Sequence, residues 1–519
     1  MKLKPFSAVN QKPGLFYLMA LAALIPVLVF RDFTPSNELR YLSIADEALR
    51  QHHLFTFWNH GVPYADKPPL YFWIIMACRR LTGDHYMWLL SMFSVVPALL
   101  VVRLMDRWTA PLMQTAYHHT SRLILLTCAY FLGAALTLRM DMLMTLFILL
   151  ALRSFWRMHT EPTCTRREAW LFPLYLFLAL FTKGPLGILI PLCSTLVYLG
   201  LSGEWRSAGR YWGWRTWTVL LAGCALWFSA VYLEGGGEYL HNLLFHQTVD
   251  RAVNSFRHDH AWYYYLVSYW YALAPWSPLL VVGLVLALRR LGQCTPLHRY
   301  FLTVSLTSLV LLSCISSKLE VYLLPAYPFL VYAALLALQD YSRSLSVRLS
   351  LTLPAAIFTL AFPAYLVAAG RVALLQTPML YVAAGVLSLL GVLALVQLYT
   401  DHTRWAVRSV GGALLAVLFI GGCTLPQLND TLGYRLLCQQ VKAEALEHHP
   451  RKIHSWRLSN AEDMDIYLGR EVHALPKGDI PAADSLQDCL LLTPKENVSL
   501  YPQHQATIVG PDAIIVCRP

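Results

Sequence analysis

The apolar residues of this chain come in long blocks, most of them near the 20 residues a helix needs to cross roughly 30 Å of hydrocarbon. The blocks are 14–30, 86–102, 121–138, 142–157, 170–182, 186–201, 216–233, 263–288, 300–316, 321–339, 350–369, 378–399 and 409–426. The stretch 170–201 is read as a hairpin, because an unbroken helix of that length would reach about 48 Å. Lys183-Gly184-Pro185 at its centre supplies the break. One further apolar run, 68–81, is too short to span, opens on two prolines and ends in Arg79-Arg80. Such a segment suits a helix lying at the interface.

Arginine placement supports that count. With 68–81 left out of the crossings, every second loop is basic, carrying Arg103 and Arg107, Arg153 and Arg157, Arg206 and Arg210, Arg289 and Arg290, Arg343 and Arg348, and Arg404 and Arg408. The positive-inside rule makes that side the cytoplasm. The opposite side then receives loops 31–85, 139–141, 183–185, 234–262, 316–320 and 370–377, together with the polar tail. The expected fold is a polytopic α-helical membrane protein of about thirteen transmembrane helices. It has juxtamembrane helices in the first outer loop and a small C-terminal extracytoplasmic α/β domain. The division falls into residues 1–428, with outer loops 31–85 and 234–262 forming the active site, and residues 429–519. In the tail, 434–448 reads as an amphipathic helix, and 489–492 and 513–516 as short buried strands.

Composition removes the competing classes. Of 519 residues, 57% are hydrophobic and 14% charged, against about 25% charged in soluble domains. Disorder is excluded by the same abundance of apolar surface. The net charge of +11 belongs to the cytoplasmic loops, not to a nucleic-acid-binding face. Lys2, Lys4 and Lys12 precede the first apolar run with no small-residue cleavage site after it, so an uncleaved first span is expected. The eleven cysteines show no metal-binding spacing. Cys438, Cys489 and Cys517 share the tail, where one disulfide is compatible with an oxidising compartment and the pairing cannot be deduced.

The unusual polar residues gather on the outer side. They lie in Asn37-Glu38-Leu39-Arg40-Tyr41, Tyr64-Ala65-Asp66-Lys67-Pro68-Pro69-Leu70, Arg139-Met140-Asp141-Met142 and Lys183-Gly184-Pro185. The set continues through His246 to Arg251, then His258 and His260, and ends in Ser317-Lys318-Leu319-Glu320-Val321-Tyr322. Ionisable groups at membrane depth are functional candidates by default. Lys183, at a hairpin tip with almost no loop, is either a snorkelling lysine or the countercharge of a lipid-borne phosphate. Lys67 carries the same pair of readings, and Lys318 is either a cation at a helix end or such a countercharge. Asp141 can form an ion pair with Arg139 or act in chemistry, and Glu38 can pair with Arg40 or do the same. Asp66 adjoins Lys67 in the most motif-like segment. His246 or His258 with a carboxylate could hold a divalent cation, although no spacing proves a site. The aromatic run from Trp262 to Tyr265 suits an interface belt.

Five of these segments, in this order, resemble the motifs of the polytopic GT-C glycosyltransferases that use polyprenyl-phosphate sugars. The resemblance is greatest to the bacterial aminoarabinose transferases of lipid A and their protein-mannosyltransferase-like relatives. It implies an inverting transfer of one sugar from undecaprenyl phosphate to an acceptor outside the bacterial inner membrane. That acceptor would be lipid A, or an envelope protein or glycolipid. Lys67, Lys183 and Arg251 would clamp the carrier phosphate, with Arg40, Tyr64, Lys318 and Tyr322 lining the substrate. Glu38, Asp66 and Asp141 would act as acid, base or orienting groups, and Asp66 with His246 as ligands of one divalent cation. A periplasm-facing site and a monomer are expected. The family's first-loop Asp-Glu pair stands here as Asn37-Glu38, and its Glu before the lysine as Asp66. Asn37 cannot accept a proton, which favours an acceptor that is already anionic. An O-glycosyltransferase of secreted proteins and a lipid-linked sugar flippase are the rival readings.

Overall fold

A computed structural model describes residues 13–161, 165–244, 260–341, 343–478, 480–481, 486 and 488–517. Every predicted apolar block carries helix. Among the described residues eight helices are long and apolar enough to cross a membrane, and Thr115–Leu126 with Ala129–Leu136, bent by 65°, makes a ninth candidate span. Gly14–Phe30, Leu186–Leu201 and Ser277–Arg289 are shorter apolar helices in the same bundle. The chain is a polytopic α-helical membrane protein.

Three blocks depart from straight spans. The first bends at Thr127-Cys128, and 263–288 splits into Tyr264–Ala272 and Ser277–Arg289 around a cis Ala274-Pro275 bond. The two breaks answer each other. The Ala129 N–H donates to the Ala274 carbonyl (2.9 Å), and the Trp276 indole N–H donates to Thr127 Oγ1 (2.9 Å). Hydrocarbon offers no water to backbone groups released by a break, so breaks persist where protein groups replace it. The third departure is Trp214–His241, which continues beyond the predicted end at 233 with only a kink at Gly236 (φ 76°). Part of the loop expected at 234–262 is therefore helix.

The first outer loop is built, not slack. It contains the amphipathic helix Glu38–Gln51, a hairpin of β1 (Trp58–Asn59) and β2 (Val62–Pro63), and the interfacial helix Leu70–Thr82. The hairpin turns through His60 and Gly61, both at positive φ (53° and 76°), the pair of conformations a two-residue hairpin turn requires. Arg79 and Arg80 end the interfacial helix beside Gly83, where cations complement the helix C-terminus.

The tail forms helix Arg435–His448 and a five-stranded sheet in the order β4-β3-β5-β7-β6. The strands are β3 (Lys452–Ser455), β4 (His473–Ala474), β5 (Cys489–Pro494), β6 (Gln505–Val509) and β7 (Asp512–Cys517). β3 runs parallel to β4 and β5, and β7 antiparallel to β5 and β6. Alternation sorts the two central strands. Leu490, Leu492, Ile514 and Val516 share one core with Phe33, Leu39, Tyr41 and Phe72 of the first loop. Cys489, Leu491, Ile515 and Cys517 pack on the other face with Trp456 and Tyr501. The sheet is thus buried against the loop that carries the candidate site. Cys438, Cys489 and Cys517 are all free, so the disulfide expected as one alternative is not formed, although Cys489 and Cys517 are register partners.

Candidate active site

Helix Thr165–Lys183 stops at Lys183 because Gly184 adopts φ 112° and Pro185 opens the next helix, Leu186–Leu201. The hairpin is tight. A Cβ on Gly187 would lie 2.4 Å from the carbonyl carbon of Ala179, so only glycine lets the two helices approach this closely. Lys183 is therefore held at the tip without a loop to lift it into water. Its side chain is 7% exposed, so it does not snorkel. It forms an ion pair with Asp141, and its ammonium lies 5.0 Å from the centre of the Tyr322 ring.

Asp141 is the first residue of helix Asp141–Thr160, where the helix dipole favours a negative charge. Its second oxygen accepts from Arg139 Nε at 3.0 Å. Beside the interfacial helix, Lys67 pairs with Asp66 at 3.0 Å, and the Tyr64 hydroxyl donates to the same Asp66 oxygen at 3.3 Å. Burial pushes the Tyr64 phenol well above its ordinary value, which keeps it a donor.

Asp66, Lys67 and Lys183 line a cavity of about 270 Å³, with Tyr64, Asp141 and Arg139 behind them. Asp66, Lys67, Lys183, Ser317 and Tyr322 give it a polar side, and Leu186, Leu189, Trp227, Phe228, Leu243 and Ile315 an apolar wall. Three cations, Lys67, Arg139 and Lys183, meet two carboxylates, Asp66 and Asp141. Among these five described residues the cations outnumber the carboxylates by one, in a partly desolvated place where charge acts strongly. The arrangement suits an anionic head on an apolar tail.

The other predicted residues lie elsewhere. Glu38 is 1% exposed, and both its oxygens are taken. Arg31 donates to it in a two-pronged contact (2.7 and 2.8 Å), and the Thr34 amide, the Thr34 hydroxyl and the Leu138 amide add to this at 2.8, 3.0 and 2.8 Å. Burial alone would raise its carboxyl, but Arg31 and the amides outweigh burial and hold it below the ordinary value. The partner expected from sequence, Arg40, instead reaches Asn460 Oδ1 in the tail at 3.2 Å. Glu38 thus ties the loop to the start of the Arg139–Asp141 segment, with no oxygen open to the cavity. Asn37 precedes that helix and makes no capping bond with its side chain. Lys318 is 4% exposed and donates to the His260 carbonyl at 2.9 Å, tying two outer segments together. Arg251, His246 and His258 lie outside the described residues. Of the expected cation ligands only Asp66 is described, and one carboxylate shared with Lys67 and Tyr64 does not by itself make a divalent site.

Two positioning residues escaped the sequence reading. Glu234 accepts from the consecutive amides of Leu54, Phe55 and Thr56 and from the Thr56 hydroxyl, at 2.8–3.1 Å. The Tyr239 hydroxyl accepts from the Phe57 amide (2.9 Å) and donates to the Tyr64 carbonyl (3.0 Å). Both fasten the Asp66–Lys67 segment to helix Trp214–His241. A lone glutamate beside three glycines gives no motif, and only the tertiary pairing reveals the role.

No protein-family model matches the chain. It is 24% identical over 325 residues to an undecaprenyl phosphate-α-4-amino-4-deoxy-L-arabinose arabinosyl transferase of Pseudomonas fluorescens, covering 60% of this chain and 55% of that one. The corresponding protein of Pseudomonas savastanoi pv. phaseolicola is 25% identical over 409 residues, covering 77% and 75%. The chain thus spans between about half and three quarters of the length of these relatives. Among solved structures, ArnT from Cupriavidus metallidurans bound to undecaprenyl phosphate superposes with a TM-score of 0.76 at 19% identity, over 98% of both chains. The resemblance of the motifs to polytopic GT-C glycosyltransferases of the aminoarabinose-transferase group therefore holds in both sequence and fold.

Proposed function

We propose that this chain is a glycosyltransferase that moves one sugar from a polyprenyl phosphate to an acceptor on the outer side of a bacterial inner membrane. The sugar is of the aminoarabinose type and the acceptor a phosphate of lipid A. The observation that carries the reading is the pair of lysines, Lys67 and Lys183, on one side of a cavity whose other wall is apolar, with Arg139 behind them on Asp141. Sequence similarity to transferases whose names specify that donor sugar supports the choice of substrate.

The donor phosphate enters by replacing carboxylates as the partner of Lys183 and Lys67, and the first isoprene units lie along Trp227, Phe228 and Leu189. In the reaction the bond from the sugar's anomeric carbon to the carrier phosphate oxygen breaks. A bond from the same carbon to an acceptor oxygen forms on the opposite face. Negative charge grows on the departing phosphate, and preformed cations aimed at growing charge are commonly the largest catalytic contribution. The lysines and Arg139 supply it. Asp66, released from Lys67, holds the ammonium of an amino sugar, while Asp141 stays behind the wall with Arg139. A phosphate acceptor is anionic at neutral pH and needs no strong base, consistent with Asn37 at the position where the resembled family has Asp.

Intact-mass analysis of lipid A from cells with and without the gene tests the acceptor. Loss of one amino-pentose from the phosphates on deletion supports lipid A. Unchanged lipid A together with an altered envelope protein would move the acceptor to protein hydroxyls.

A further inference from the structure

The two faces of the tail sheet carry different chemistry. Strands β5 and β7 are its inner pair, with β3 and β4 beyond one and β6 beyond the other. Leu490, Leu492, Ile514 and Val516 share a core with the first outer loop. Cys489 and Cys517 lie on the opposite face, packed with Trp456, Leu491, Tyr501 and Ile515. Cys438, on helix Arg435–His448, belongs to the core on the first-loop side. Of the three tail cysteines, therefore, only Cys489 and Cys517 share a face. Both are thiols in the structure.

Register sets their separation. Cys489 and Cys517 stand directly opposite in an antiparallel pair that keeps step, without a bulge, to Pro494 and Asp512. One residue further the Lys495 amide donates to the Pro511 carbonyl at 2.9 Å, which makes that couple a hydrogen-bonded pair. Such pairs recur at every second residue, so counting back reaches Thr493 with Ala513, Leu491 with Ile515, and Cys489 with Cys517. Their Cα atoms then lie about 5.5 Å apart, inside the range of about 4.4–6.8 Å that a disulfide spans. Side chains opposed on one face need only rotate and close by about 1 Å. Each cysteine is 2% exposed, so a bond made while β7 joins the sheet is shielded from reductant afterwards.

We propose that Cys489 and Cys517 become joined by a cross-strand disulfide in an oxidising outer compartment, leaving Cys438 reduced. The bond forms during folding by exchange with the disulfide of a thiol oxidant. One cysteine thiolate attacks that disulfide, and the second cysteine displaces the oxidant from the mixed disulfide. The oxidant leaves as a dithiol with the two electrons and two protons that the cysteines give up. The bond ties the last strand to β5 and stiffens the sheet against which the first outer loop packs. This modification requires the outer placement of the tail and is independent of the proposed reaction. The test is peptide mapping of the full chain from membranes, with free thiols blocked by N-ethylmaleimide in denaturant at lysis and digestion without reductant. A linked peptide pair holding Cys489 and Cys517 is expected, two hydrogens lighter than its separate halves, with Cys438 carrying maleimide. Reducing the purified chain should quicken amide exchange in β5 and β7 by about tenfold or more, and leave helix Leu186–Leu201 unchanged. Cys438 in the linked pair overturns the pairing, and unchanged exchange on reduction overturns the bracing. Protease added to spheroplasts reads the placement separately. A tail cut from outside while Cys489 and Cys517 both carry maleimide overturns the disulfide, and a protected tail overturns its outer placement.

Discussion

The Lys183–Asp141 pair separates a structural lysine from a phosphate-binding one. Both side chains are buried, at 7% and 2% exposure, and Arg139 holds the second Asp141 oxygen. Lys183→Ala removes one partner of a buried pair, which costs about 3–5 kcal/mol where no other cation remains. Arg139 remains at 3.0 Å, so a loss toward the lower end, about 3 kcal/mol, is expected. Adding Asp141→Asn to a Lys183→Met background removes both charges and should recover most of that stability. Catalysis should not recover. Loss of one preorganised charge at a departing phosphate lowers turnover by roughly 10²–10³. Thermal unfolding in detergent and release of carrier phosphate from a lipid-linked sugar read the two effects apart. If the double variant regains stability and turnover together, Lys183 serves packing alone and the phosphate role is wrong.

Three further outcomes follow from the surrounding contacts. Glu38 sits below its ordinary value of 4.5, so its stabilisation is complete above that value and drains away as pH falls through the lower folded one. Glu38→Gln should flatten unfolding temperature against pH below 4.5. The His60 ring, 3.2 Å from Asp463, is raised above 6.5 by that hydrogen bond against the opposing effect of burial. Its contribution is therefore full below 6.5 and fades as pH rises through the folded value, while burial pushes Asp463 upward and keeps the total small, about 1 kcal/mol at most. Limited proteolysis of the tail should accelerate from pH 6 to 8 in the parent and less so in His60→Gln. Glu234→Ala strands three amides at partly exposed positions, so hydrogen exchange at Leu54, Phe55 and Thr56 should quicken and donor KM rise more than kcat falls; unchanged exchange would show that another group caps them.

What the sequence disclosed was governed by local rules. Hydrophobic block length located the helices, paired prolines and arginines bounded the interfacial helix, and Lys183-Gly184-Pro185 located a hairpin whose tip is a buried lysine. Short continuous apolar runs at 489–492 and 513–516 disclosed the two central strands of the tail, which are buried on both faces. Long-range pairing was not disclosed. Lys183 meets Asp141 from 42 residues away, and Glu38 is claimed by Arg31 and the Leu138 amide instead of substrate. Lys318 spends its charge on a carbonyl. Helix Trp214–His241 continues past its apolar block because Glu234 and Tyr239 are held by the first loop, a reason written on a segment nearly 180 residues earlier. The mutual support of the breaks at Thr127-Cys128 and Ala274-Pro275 is equally invisible to a local pattern.

The central claim is that the cavity cleaves a sugar from a polyprenyl phosphate. Its most direct test incubates the purified full chain in lipid vesicles with labelled undecaprenyl-phosphate aminoarabinose and lipid A, and follows both lipids by chromatography. Carrier phosphate should appear and label should enter lipid A in equal amounts, with Lys183→Ala slower by at least a hundredfold. An intact donor after prolonged incubation, or equal turnover by the wild type and Lys183→Ala, would contradict it.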